Sequence, residues 1–285
     1  MKLKILTMAI TVASLGAASF AAQAETSYYG SIRAGVSYED DGVNDSTTTI
    51  TDKYSRMGFK GETDLGNGMT GFGHYEFGVD LDTDKNSNGA LSTRKAYAGV
   101  KGDFGRVRIG HDYHTFYNFA KGMTDVGWDY SCNGCQGPSR TGEALSYDTT
   151  IGAVKVGATA YLNDDVYGDG VELGASVDAG PATIYAAAAD TDASGDTLYA
   201  VGAKGKFGAV GVGATYFDYG TDMSSYDVMF SYGDAYLLYG DGDQAADAGV
   251  TAGYSHSLGK KTTMWYEIHS RGDHKAASAI FKYDF

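Results

Sequence analysis

The sequence predicts an all-β chain closed into a 16-stranded antiparallel transmembrane β-barrel, with one long connection folded into it. Three observations carry that expectation: how the chain ends, how it begins, and a period-two alternation that runs between turn signals. In the last segment Ala277, Ala279, Phe281, Tyr283 and Phe285 share one face of a strand, and Ser278, Lys282 and Asp284 the other. The apolar face ends on an aromatic, which suits a surface that meets lipid under an aromatic girdle.

At the other end, Lys2 and Lys4 precede an apolar run from Ile5 to Phe20, and Ala22-Gln23-Ala24 fits the small-x-small rule for signal peptidase. Residues 1–24 are expected to be a signal peptide cleaved after Ala24, and residues 25–285 the barrel. A membrane anchor is the competing reading, and the run is short for one.

Composition points the same way. There are 41 Gly, 23 Tyr and 12 Phe but only 2 Pro, and no later run is apolar enough to cross a bilayer as a helix. Strands that alternate lipid-facing and water-facing residues average to a soluble-looking hydropathy. The formal charge of −14 becomes about −16 without Lys2 and Lys4. So acidic a chain argues against nucleic acid as a partner and favours cations at the mouths of a pore.

Short turns alternate with longer polar connections along the chain. The turns are Leu65-Gly66-Asn67-Gly68, Gly102-Asp103-Phe104-Gly105, Thr150-Ile151-Gly152, Asp178-Ala179-Gly180-Pro181, Lys206-Phe207-Gly208, Tyr232-Gly233-Asp234 and Leu258-Gly259-Lys260-Lys261. The longer connections include those expected at 39–51, 82–88, 163–169, 190–196, 241–247 and 270–274. Seven turns and eight loops join about sixteen strands.

Alternation sorts the faces. Tyr28, Ile32, Ala34, Val36 and Tyr38 oppose Ser31, Arg33 and Ser37; Met57 and Phe59 oppose Arg56, Lys60 and Glu62; Tyr75, Phe77 and Val79 oppose His74, Glu76 and Asp80. The apolar set is assigned to lipid or a subunit contact and the charged set to the lumen. Lys95 and Lys101 fall on lipid-facing parity by the same count.

From His111 to Gly142 the alternation stops for about thirty residues. This stretch, after a fifth strand at Gly105–Gly110, carries Phe116, Tyr117, Phe119, Trp128 and Tyr130. It is too apolar for a solvent-bathed loop and is expected to fold into the barrel. It also holds Cys132-Asn133-Gly134-Cys135. A local disulfide closing the Asn-Gly turn suits an oxidising exterior and stands first; free thiols come next. A metal site or redox catalysis stands last, since no second ligand pair is adjacent and no βαβ context is present.

Ser55-Arg56-Met57-Gly58-Phe59-Lys60-Gly61-Glu62-Thr63-Asp64-Leu65-Gly66 resembles the R-x-G-F-K-G-x-x-x-L-G segment of the general diffusion porins of Gram-negative bacteria. Residues 93–105, from Thr93-Arg94-Lys95 to Gly105, resemble the same family's fourth strand and turn. The resemblance implies a homotrimer of barrels in the outer membrane, among lipid and lipopolysaccharide. It further implies insertion by the barrel assembly machinery through Phe285, passage of small polar solutes and ions, and no cofactor. By motif position it implies a basic constriction wall of Arg56 and Arg94, with Arg140 a third member and Arg33 a substitute for a wall lysine replaced by Ser31. Met123-Thr124-Asp125-Val126-Gly127-Trp128-Asp129-Tyr130 resembles the constriction segment, which makes Asp125 and Asp129 the facing acids; Glu76 matches a third acidic lumen residue. The chain is short for the family, so trimmed loops are expected.

Weak cation selectivity is expected from the charge balance. A substrate-selective porin, with the loop aromatics guiding sugars, is the alternative reading. An outer-membrane hydrolase is a remote one, because no G-x-S-x-G, H-E-x-x-H or P-loop occurs and the six histidines lie in no catalytic motif.

Overall fold

The computed structural model describes residues 25–81, 91–135, 137–220, 222–243 and 247–285. The expected signal peptide and the 82–88 loop lie outside the described residues, as does part of 241–247. Among the described residues a single antiparallel sheet closes on itself. Its strands are β1 (Glu25–Asp40), β2 (Thr47–Asp52 continued as Arg56–Gly66), β3 (Met69–Val79), β4 (Leu91–Gly102) and β5 (Gly105–Tyr113). A one-turn helix α1 (Thr115–Phe119) follows, then β6 (Arg140–Thr141 continued as Ala144–Ile151), β7 (Val154–Asp164), β8 (Gly168–Ala179), β9 (Ala182–Thr191) and β10 (Leu198–Phe207). The circuit ends with β11 (Val210–Asp218), β12 (Ser224–Tyr232), β13 (Ala235–Gly242), β14 (Gly249–Gly259), β15 (Thr262–Arg271) and β16 (His274–Asp284).

Sixteen strands therefore form the wall, two of them interrupted. Both parts of β2 pair with β1, and both parts of β6 pair with β5. Pairing of β1 with β16, from Ser31↔Asp284 to Asp40↔Lys275, closes the ring and leaves no edge. The Phe285 amide adds a bond of 3.1 Å to the Gly30 carbonyl.

All seven turns fall where expected. Asn67 and Gly68 both take positive φ (54° and 74°), as a two-residue hairpin turn with the twist of its strands requires. Gly152, Gly180, Gly208 and Gly233 open their turns at φ 57–65°. The opposite ends correct the sequence reading. Thr47–Asp52, expected inside a loop, is strand, and β5 runs on to Tyr113. The long connection is 114–139, shorter than the 111–142 expected.

The faces divide as the alternation requires. Tyr28, Ile109, Leu173, Val201 and Ile268 are each more than half exposed, whereas Ser31, Arg33 and Ser37 are buried on the other side of the sheet. Lys95 and Lys101 are corrected to the inner side. A bulge pairs Glu76 with Lys95 and Phe77 with Thr93, so Arg94 is an extra residue and the parity shifts there. Lys95 thereby reaches Asp112 (3.3 Å) and Lys101 reaches Glu62 (2.7 Å).

A cluster of buried apolar side chains lies inside the barrel. Phe116 and Ala120 pack with Tyr185, Ala187 and Ala189 of β9, Leu198 and Ala200 of β10, and Phe217 of β11. Residues 114–139 touch inward side chains of β2, β7, β8, β11, β12 and β15. One short segment reaches strands spread around a closed ring only from within it.

Candidate functional site

The inward loop is held at three places by buried carboxylates of the wall. Glu172 on β8 accepts the Phe116 amide (2.7 Å) and the Tyr161 hydroxyl. Asp227 on β12 accepts the amides of Asn133 (3.0 Å) and Gly134 (2.8 Å). Glu267 on β15 accepts those of Trp128, Asp129 (2.6 Å) and Tyr130 (3.1 Å), and the Tyr236 hydroxyl. Each is almost fully buried, at 1%, 0% and 2% exposure, so each charge is balanced by N–H donors rather than by water. None was singled out from sequence. The signal available was an acid at inward parity in the middle of a strand.

Aromatic contacts do the rest of the docking. Trp128 stacks on Trp265 at 4.2 Å, and the Arg33 guanidinium lies 4.4 Å from its ring centre. Tyr130 stacks on His269 (4.6 Å) and Tyr113 on Tyr117 (4.0 Å). Phe119 lies over Gly157 and Gly174, where a Cβ would come within 2.6 and 2.7 Å of it. Wall glycines make room for that ring.

Facing the loop is a basic wall. Arg94 donates through Nε to Glu76 (2.9 Å), and Arg56 comes within 4.0 Å of the same carboxylate. Arg140 donates to the Arg94 carbonyl (3.5 Å) and covers the Tyr113 ring. Arg33 donates from Nε to Ser31 (2.8 Å). Arg56, Arg94 and Arg140 are thus brought together, and Arg33 joins the loop through Trp128. Glu76 is an inward acid that sits among the arginines, also accepting from Tyr29 (2.8 Å).

Of the two loop acids, Asp129 pairs with Lys53 at 2.7 Å. Lys53 lies in the interruption of β2, where Tyr54 takes φ 65° and the Lys53 amide bonds the Arg33 carbonyl (2.8 Å). That irregularity turns a lysine inward at a place the sequence assigned to the edge of a loop. Asp125 accepts from Tyr117 (2.8 Å), whose hydroxyl is pushed well above its usual range by burial and by the Asp125 charge. Lys121 is half-buried and donates to the Gly137 carbonyl (3.0 Å); burial lowers its pKa, and Asp125 and Asp227 oppose that shift. Cys132 and Cys135 are joined as a disulfide, and Asp227 lies against the pair.

On the short-turn side of the loop a cavity of about 820 Å³ lies among Lys101, Arg106, Arg108, Lys155 and Lys204, with Asp103 and Asp148. His114 bonds Ser146 (2.9 Å) and the Thr141 carbonyl (2.9 Å), and all three residues are at most 2% exposed.

A family model for the Gram-negative porins matches residues 9–270. Among curated relatives, outer membrane porin C of Enterobacter cloacae is 29% identical over 86% of this chain and 65% of its own length. The porin OmpD of Citrobacter koseri is 30% identical over 76% and 58%, and outer membrane protein S2 of Salmonella typhi 30% over 59% and 42%. The chain thus spans between about two fifths and two thirds of the length of these three relatives. Among solved structures, Salmonella typhi OmpF in complex with daunomycin superposes with a TM-score of 0.78 at 20% identity, covering 91% of this chain and 97% of that one. An anion-selective porin from Comamonas acidovorans does so with 0.72 at 18% identity, over 92% and 100%. These two share the fold. The chain belongs to the Gram-negative porin family, whose place is the outer membrane.

Proposed function

We propose that this barrel is a passive, water-filled channel for small hydrophilic solutes and ions, with weak cation selectivity and no catalytic activity. The observation that carries the reading is the position of 114–139, docked on one side of the lumen with Asp129 turned to the basic residues of β1–β6. Opposed fixed charges at a narrow place orient water and small polar solutes, while a nonpolar solute must displace that water. In this reading Arg33, Arg56, Arg94 and Arg140, with Lys53, form the basic side, and Asp125 and Asp129 the acidic side. Glu76 tempers the arginines from within their own row. Ion pairing offsets much of the lumenal positive charge, so the acidic loops at the mouth tip the balance towards cations.

Export by residues 1–24, insertion through Phe285 and assembly as a homotrimer complete the proposal. Docking roles for Trp128, Tyr130, Phe116 and Phe119 favour a general pore over a sugar-guiding one, because these rings are spent on the wall. Liposome swelling with a size series of sugars tests it. Rates should fall smoothly with solute size; one sugar entering far faster than its size predicts would overturn the general-pore reading.

A further inference from the structure

The tip of the inward loop carries a second kind of chemistry. Cys132 and Cys135 are half-buried, with Cα atoms 5.5 Å apart, and their sulfurs and a carboxylate oxygen of Asp227 lie within 4.8 Å of one another. Asp227 comes from β12, far away in sequence, and is fully buried. Its Oδ1 is occupied by the Asn133 and Gly134 amides, whereas its Oδ2 is buried without a hydrogen-bond partner. A buried, unpartnered carboxylate oxygen costs free energy unless something cationic meets it.

The surroundings hold these three residues in place. The Gly134 carbonyl accepts from Ser225 (2.5 Å) and Tyr219 (3.1 Å), Asn133 donates to Thr251 (3.3 Å), and Arg271 donates to the Asn133 carbonyl. The turn is therefore fixed to the wall by bonds that do not involve sulfur. Opening the disulfide leaves the two thiols beside Asp227.

We propose that, in the dithiol form, Cys132, Cys135 and Asp227 bind a thiophilic divalent cation of the zinc class. The disulfide is reduced by a small external thiol that enters through the lumen: two RSH give two cysteine thiols and RSSR. The cation then displaces the two thiol protons and binds two thiolates and Asp227 Oδ2, with a fourth position open to lumenal water. Two soft sulfur ligands and one carboxylate match the ligand preferences and tetrahedral habit of Zn²⁺ and Cd²⁺. Arg271 lies close by to offset the net negative charge of such a centre.

The test uses the folded protein in detergent, reduced with a phosphine, freed of reductant under anaerobic conditions and titrated with Cd²⁺. One Cd²⁺ per chain should bind with a thiolate-to-metal charge-transfer band, and the oxidised protein should show neither. Cys132→Ser or Cys135→Ser should weaken binding by about 100-fold, and Asp227→Asn, which keeps the acceptor for the two amides, by roughly 10-fold. Wild-type protein alkylated after folding gives a second control that does not depend on a variant's folding. Binding to reduced wild type no tighter than to the alkylated protein would overturn the proposal, as would equal binding to the oxidised form.

Discussion

From β1 to β5 the inward side carries Ser31, Arg33, Lys53, Arg56, Glu76, Arg94, Lys95 and Arg108, while from β7 to β11 the seat of the loop is mostly small residues, Gly157, Thr159, Gly174, Ala187, Ala189, Ala200 and Thr215, around the buried Glu172. Both rows occupy the same parity of the same closed sheet. The first presents charge to the lumen and the second presents space. Small residues on β7–β11 admit α1 and its rings against the wall, so the loop narrows the lumen on one side and its acids are turned to the other. The proposed pore needs an indented half of small residues as much as a charged one.

The largest expected effect comes from removing an anchor on the loop side. Glu267→Ala leaves three loop amides and the Tyr236 hydroxyl without their acceptor, costing on the order of 5 kcal/mol of docking. Planar-bilayer recordings should then show larger and noisier unitary conductance; an unchanged, quiet channel would contradict the anchoring role. Next is Phe116→Ala, which empties a fully buried ring position at a cost of about 4 kcal/mol, read as a lower unfolding midpoint in denaturant. Filling the indentation instead, with Ala187→Leu, should overpack the α1 seat by about 2 kcal/mol and loosen the loop without touching any charge. The smallest effect belongs to the half-exposed Lys101–Glu62 pair on the other half: Lys101→Gln should change stability by less than about 1 kcal/mol.

The two halves also differed in how far they could be read from sequence. Strand number, turn positions and the inward charges of β1–β3 were legible because a charge on a period-two strand has one face available to it. The motif around Arg56 and Arg94 placed those two on one wall. Lys95 was misassigned because a bulge inserts Arg94 and shifts parity, and a bulge leaves no mark in a pattern of alternation. Lys53 was missed because its orientation depends on the left-handed Tyr54 beside it. The β7–β11 half was nearly silent: glycine, alanine and threonine in a row read as generic strand. Their meaning appears only when Phe116 and Phe119, many residues away, come to rest on them.

In the proposed reading ion selectivity depends on both halves at once, and the zero-current potential across a planar bilayer under a KCl gradient reads it directly. At about 0.1 M salt the Debye length is ~10 Å, so the wild type should prefer K⁺ modestly and more strongly in dilute salt. Arg56→Ser with Arg94→Ser leaves Glu76 without its two arginine partners and should strengthen that preference. Asp125→Asn with Asp129→Asn frees Lys53 and should shift the pore towards anions. An anion-selective wild type, or double variants whose potentials match it, would contradict the account.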